Sequence, residues 1–334
     1  MRRTVVMTAL VVVAAAAAAA AQDRPVLDVY TYSSFTSEWG PGPKIGAAFE
    51  QDCGCTLRWT SVDDAVMLLS RLKLEGERTP ADIVLGLDNN LLVEGRALGL
   101  LAPHGIDTVP LDLPIAWDDD TYVPFDWGWF AFVYDTTRLA SPPDGFEALI
   151  RADPSVRILI QDPRTSTPGL GLLLWVKAAY GDRAAEIWRG LAPRIVTVTQ
   201  GWSEAYGMFL EGEAPLVLSY TTSPAYHRYA EQKDTIRAAP FAEGHYLQVE
   251  VAAKLRTTDQ PELADRFLRF VLDDAFQREI PTTNWMYPAR KPEAGLPEAY
   301  DGLVRPTTTL LLPAAQVAAE RDRWIAEWRE ALGG

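Results

Sequence analysis

The chain has 334 residues, is 48% hydrophobic and carries 11 Trp, 12 Tyr and 11 Phe, a composition that excludes long disordered tails and suffices for two lobes of ordinary size. A formal net charge of −14 makes a surface that repels phosphate backbones and anionic lipids, so nucleic acid is not expected as a partner. Two cysteines and the scattered histidines His104, His227 and His245 make no zinc spacing, and no metal is expected.

The opening MRRTVVMTALVVVAAAAAAAAQDRP places Arg2 and Arg3 before an apolar stretch that ends in small residues, the layout of a secretory signal peptide over 1–21. An uncleaved anchor is the competing reading, but alanine is weakly apolar. Export with cleavage removes Arg2 and Arg3 and takes the net charge from −14 to −16. In an oxidising compartment Cys53 and Cys55 could pair with each other, although so small a ring is strained.

Beyond the signal, VLDVYTYSS reads as a strand, PKIGAAFEQDCG as a helix opened by Pro43 and closed near Gly54, and TLRWTSV as a strand. DDAVMLLSRLKLEGERTP is a helix with Asp63 and Asp64 at its positive end, and ADIVLGLD is a buried strand. The long aromatic stretch YVPFDWGWFAFVYD and the later GHYLQVEVAAKL suit strands that cross between lobes. Between them lies a second βα series: VRILIQDP, the helices GLGLLLWVKAAYG and AAEIWRGLA, the strand RIVTVT, a helix from Ser203 to Leu210, and the strand PLVLSY. PELADRFLRFVLDDAFQREI and AAQVAAERDRWIAEWREAL follow as amphipathic helices. The expected division is a first lobe over 25–122, a second over 123–250, and a return to the first with C-terminal helices over 251–334. The fold class is α/β with two lobes and a hinge of two crossing strands, able to close on a ligand.

Four constellations carry candidate chemistry. In DPRTSTPGLG, Pro168 fits a first helical turn, so Thr165, Ser166 and Thr167 stand where hydroxyls and free backbone N–H groups converge and can hold an anion or simply cap the helix. Gly169 and Gly171 would let a ligand or another backbone come close. In TQGWSEAYG, Trp202 sits at a strand-to-helix junction; Ala205 spoils a match to the G-x-S-x-G nucleophile elbow, and Ser203 reads as an N-cap. LSYTTSPAYH offers Tyr220 and Tyr226 in a loop where Pro224 prevents regular structure, either as ferric ligands, as faces for a flat cation, or as packing. TTNWMYP supplies Trp285 and Tyr287, and YTYSSFTSEWGPGP supplies Tyr32 and Trp39. Asp64 would add a carboxylate at the same mouth.

Aromatic faces, a carboxylate and a separate anion-binding helix start suit a flat cationic heteroaromatic molecule with a hydroxyl or phosphate arm, and thiamine has that description. The segments VYTYSSF, EWGPGP, ADIVLGLDNNLL, VPFDWGWFAFVYD, QDPRTSTPGLGLLLW, TVTQGWSEAYG, LVLSYTTSPAYH, EGHYLQVEVAA and NWMYP resemble the periplasmic thiamine-binding proteins, the solute receptors of thiamine ABC importers. The resemblance implies the type II periplasmic binding protein fold, no cofactor and no catalysis. It also implies a monomer in the periplasm that takes up thiamine and its mono- or diphosphate and meets a membrane permease. By the same resemblance Tyr32, Trp39, Trp202, Tyr220, Tyr226 and Trp285 are aromatic contacts, Asp64 is a carboxylate contact and Ser166 meets the hydroxyl or phosphate, with Thr165, Thr167 and Gly169 beside it. Relatives of this fold bind ferric ion or polyamines, or cleave thiamine, and remain the alternatives.

Overall fold

The computed structural model describes residues 24–107 and 109–333, so the expected signal peptide lies outside the described residues. Strands β1 (Val26–Tyr32), β2 (Thr56–Val62) and β3 (Ile83–Asp88) are joined by helices α1 (Gly42–Cys53) and α2 (Ala65–Glu75), and β1 runs parallel to both neighbours. Helices joining parallel strands leave β3 buried at every residue, which is why its sequence is apolar nearly throughout. Helix α1 ends where Gly54 adopts φ 66°, and the Cys53 and Cys55 sulfurs are bonded around that glycine.

The chain then runs through β4 (Val123–Asp135), β5 (Ile158–Gln161), α3 (Thr167–Tyr180), β6 (Ile195–Thr199), α4 (Trp202–Glu211), β7 (Leu216–Tyr220) and α5 (Pro224–Ala230), and returns along β8 (His245–Leu255). Helices α6 (Pro261–Val271) and α7 (Ala314–Ala331) follow. The strands form one continuous sheet in the order β2-β1-β3-β8-β4-β7-β5-β6. The early part of β4 pairs antiparallel with β8, and Phe130 to Tyr134 pair antiparallel with β7. A single strand therefore belongs to the sheets of both lobes. The result is a two-lobed α/β fold of the type II kind with β4 and β8 at its centre.

Two details of this crossing position the site. The pairing of β4 with β8 shifts register between Glu250 and Val251, so Phe125 is an extra residue beside Pro124, which has no N–H to give a ladder. Helix α3 also lies hard against β4: a Cβ on Gly171 would sit 2.0 Å from the Phe130 ring, and one on Gly169 would sit 2.5 Å from the Gln161 carbonyl. Gly169 thus admits the backbone at the end of β5, the second of the two roles open to it, while Gly171 admits a β4 side chain. Every residue of α3 from Thr167 to Lys177 is buried, which accounts for its all-round apolar sequence.

Three local expectations are corrected. Pro224 opens α5 at its first helical position, where a missing N–H costs nothing, so Tyr226 is carried on a helix and not a loop. The N-cap of α4 is Gly201, not Ser203, and it has no side-chain cap. The helix expected through FQREI breaks: α6 stops at Val271, Asp274–Gln277 forms a short helix, and a wide turn over Ile280–Asn284 leaves Trp285 with φ 58°.

Candidate functional site

A cavity of about 640 Å³ opens between the lobes, within the range of small-molecule sites. Tyr32, Trp39, Asp64, Thr167, Trp202, Tyr220, Tyr226 and Trp285 line it, while Thr165, Ser166 and Gly169 do not.

Two aromatic pairs stand in the cavity walls. Trp39, 54% exposed at the mouth, lies with its ring centroid 6.4 Å from that of Trp202. Tyr226, also in the wall, stands edge-on to Trp285 at 5.3 Å. Trp202 is backed by Tyr206, stacked at 4.9 Å, and its indole N–H donates to Ser219 Oγ at 2.8 Å, so the ring that faces the cavity is fixed in plane. Trp285 is fixed differently. A tryptophan in the left-handed region is strained by roughly 1–3 kcal/mol, and the conformation is held by its own N–H donating to the Ile280 carbonyl at 2.9 Å.

Asp64 occupies the helix start at which a ligand anion was expected. Its Oδ1 accepts the N–H of Ala65 at 2.7 Å and of Thr167 at 3.1 Å, and its Oδ2 accepts the Ser166 hydroxyl at 2.8 Å and the Trp202 N–H at 3.1 Å. Ala65, Thr167 and Trp202 are the first residues of α2, α3 and α4, so three helix N-termini converge on one carboxylate. Burial raises the Asp64 pKa, and the four hydrogen bonds oppose that rise. Only the first of these helices belongs to the lobe that carries Asp64, so the contact fastens the lobes together.

Of the two roles open to the hydroxyl-rich helix start, the cap is the one Ser166 fills here. Ser166 is fully buried, caps α3 through the Gly169 N–H and gives its proton to Asp64, so it is not presented to the cavity. Thr165 donates to the Gln200 carbonyl at 2.6 Å. Thr167 does reach the cavity, and its backbone N–H is one of the donors to Asp64.

The floor of the cavity holds groups that the sequence reading missed. Glu250 lines it, accepting the Tyr32 hydroxyl at 2.7 Å and the Gln248 side-chain amide at 2.8 Å. Tyr220 donates to the carbonyl end of the same Gln248 at 2.7 Å. Directly opposite Glu250 in the strand pair is Asp126, whose Oδ2 accepts the Asn284 amide at 2.6 Å. Asn284 also donates to the Tyr32 hydroxyl at 3.1 Å. Burial first, and the neighbouring carboxylate second, push Glu250 well above the usual carboxylate range. Burial likewise pushes Asp126 up to about 8. The Tyr32 and Tyr220 phenols are driven upward by burial and by the same acids, which keeps both neutral. A signal was present in the sequence: Asp126 and Glu250 each interrupt an otherwise buried aromatic or aliphatic strand, where a charge is rare unless it serves a purpose.

The chain is similar over most of its length to proteins of known name. The chain is 54% identical over 309 residues, 92% of its length and 94% of the relative's, to a thiamine-binding periplasmic protein of Escherichia coli (strain K12). It superimposes with a TM-score of 0.91 and 54% identity on a solved periplasmic thiamin binding protein, covering 93% of this chain and 97% of that one. A ferric binding protein from Campylobacter jejuni shares the fold alone, with a TM-score of 0.73 at 19% identity over 91% of this chain and 99% of that one. The model of the bacterial extracellular solute-binding proteins matches residues 40–280, and the chain belongs to that family.

Proposed function

We propose that this protein is the periplasmic receptor of a thiamine importer: the lobes close on thiamine, and the loaded receptor hands it unchanged to a membrane permease. The observation that carries the reading is the combination of aromatic pairs lining the cavity with an acid floor. Trp39, Trp202, Tyr226 and Trp285 offer π faces to a thiazolium, and the carboxyl groups supply the opposite charge. The likeness to thiamine-binding periplasmic proteins over nearly the whole chain supports the same ligand and compartment.

The phosphate esters enter this reading in a particular way. Asp64 already fills the start of α3, so the phosphate of an ester gains no help from that helix, and the esters bind no more tightly than thiamine itself. A thiamine-cleaving enzyme would need a nucleophile in the cleft, whereas Cys53 and Cys55 are bonded to each other at the end of α1 and neither lines the cavity. Ferric binding through Tyr220 and Tyr226 is disfavoured by the floor, which holds Tyr220 neutral and hydrogen-bonded to Gln248.

The test is calorimetric titration of unfolded and refolded protein, stripped of carried ligand, with thiamine and its mono- and diphosphate. Submicromolar binding of thiamine, stronger than about −8 kcal/mol, is expected, with no tighter binding of either ester. Absence of heat and of any thermal shift, together with a charge-transfer band on adding ferric citrate, would replace the thiamine reading with the ferric one.

A further inference from the structure

We propose that Glu250 and Asp126 act as one unit that selects a cationic ligand over a neutral one, and that the unit gives up a shared proton when the cation binds. The inference rests on the reading of the cleft as a thiamine site and names the groups that read the ligand's charge.

The two carboxyl groups face each other across the β4–β8 pair, on the same side of the sheet, Glu250 at the cavity surface and Asp126 fully buried behind it. Among the described residues, the groups that act on them most are dipoles and further acids. Tyr32 from β1, Asp88 from β3, Asp64 from the start of α2, Tyr220 from β7, Gln248 from β8 itself, Asn284 from the turn before Trp285, and Tyr300 beyond it are the groups that act on them. Each is an acid, a phenol or an amide. Arg321 acts on Asp88, the acid on the neighbouring strand. Lys44, the cation among the cavity-lining residues, is paired with Glu279 at 3.2 Å. Asp126 Oδ1 is buried without a hydrogen-bond partner.

Two carboxylates so placed cannot both ionise in the empty cleft, so the pair keeps a proton at neutral pH. A permanent, delocalised cation seated over Glu250 supplies the missing charge, both groups ionise, and the proton leaves to solvent. The balance is protonated receptor plus cation giving complex plus one proton. A neutral molecule of the same shape drives no such exchange and leaves the acid pair as it was. Selection is thus by charge, in addition to the stacking that any flat ring would enjoy.

Proton release fixes the sign of the pH dependence. Affinity for thiamine rises with pH while the free pair is still protonated, by up to about tenfold per unit for one full proton, and flattens once the free pair has lost that proton.

The experiment is thiamine calorimetry at about pH 7 in phosphate and in Tris, buffers of very different ionisation enthalpy, on wild type, Glu250→Gln and Asp126→Asn, with thiochrome, the neutral oxidised tricycle, as a fluorescent control. Wild type is expected to release between about half and one proton per thiamine and to bind thiochrome at least tenfold more weakly. Glu250→Gln should lose both the release and at least tenfold in affinity. Asp126→Asn, which leaves Glu250 in place at the cavity surface and serves if the first variant does not fold, should lose the release and flatten the pH profile. Tight thiamine binding by wild type with no proton released would overturn the proposal while leaving the receptor reading intact, as would release that persists in both variants. No thiamine binding by wild type would overturn both.

Discussion

Among single residues, the two tryptophans that face the cavity are held by unlike means and should fail in unlike ways. Trp202 is braced by Tyr206 behind it and by a hydrogen bond to Ser219. Trp285 is braced by a strained backbone. Trp202→Ala and Trp285→Ala should each weaken thiamine binding at least tenfold, about 1.4 kcal/mol, by calorimetry. Trp285→Gly, which relieves the left-handed backbone, should lose binding to the same extent while holding the melting temperature closer to wild type than Trp285→Ala does. Unchanged titrations for both alanine variants would remove the aromatic walls from the binding account. The sequence exposed these rings because they sit at the ends of strands and in turns, where ligands meet an open α/β sheet. It marked Glu250 and Asp126 as charges within buried strands but concealed that they meet, because a side chain's facing partner depends on strand register and register is not local: the two strands are far apart in the chain.

At the level of elements, the convergence of α2, α3 and α4 on Asp64 joins a cap to a latch. Removing the carboxylate leaves the first N–H of two helices in the opposite lobe without their acceptor and strips α2 of its N-cap, each cap worth about 0.5–2 kcal/mol. Asp64→Ala should therefore lower the melting temperature of the free protein and weaken thiamine binding at least tenfold, whereas Ser166→Ala, which removes one donor and the α3 cap but keeps the carboxylate, should do less of both. If Asp64→Ala binds like wild type, closure does not pass through this contact. Helices and strands themselves were legible: the apolar period, Pro43 and Gly54 around α1, and Asp64 ahead of α2 all stand where the rules for helix ends put them. The misreadings share one cause. Pro224 can end a structure or begin one, and Ser203 can cap or follow a cap. Local residues present both options, and tertiary contact decides between them.

For the whole molecule, the buried acids make stability depend on pH in an unusual direction. Asp126 titrates near 8 and Asp88 near 6 in the folded protein, both raised by burial above an unfolded value near 4. Between those limits the folded protein binds protons that the unfolded chain has already lost, so stability falls as pH rises through this window and levels off above about 8. The melting temperature of the ligand-free protein should therefore drop by about 2 °C or more between pH 6 and pH 8, and the drop should shrink in Asp126→Asn. A rise over that interval would mean that the acids are ionised in the native state.

The seating of α3 on β4 has a mechanical corollary. Asp126, which answers the ligand's charge, and Phe130, against which Gly171 presses α3, lie on one unbroken stretch of a strand, and the N-terminus of that same helix grips Asp64. The charge sensor, the hinge and the clasp are thus mounted on a single lever. A permease that twists this strand would loosen the grip on the cation and unfasten the lobes in one stroke, so unloading would need no second trigger and no chemical change in the cargo.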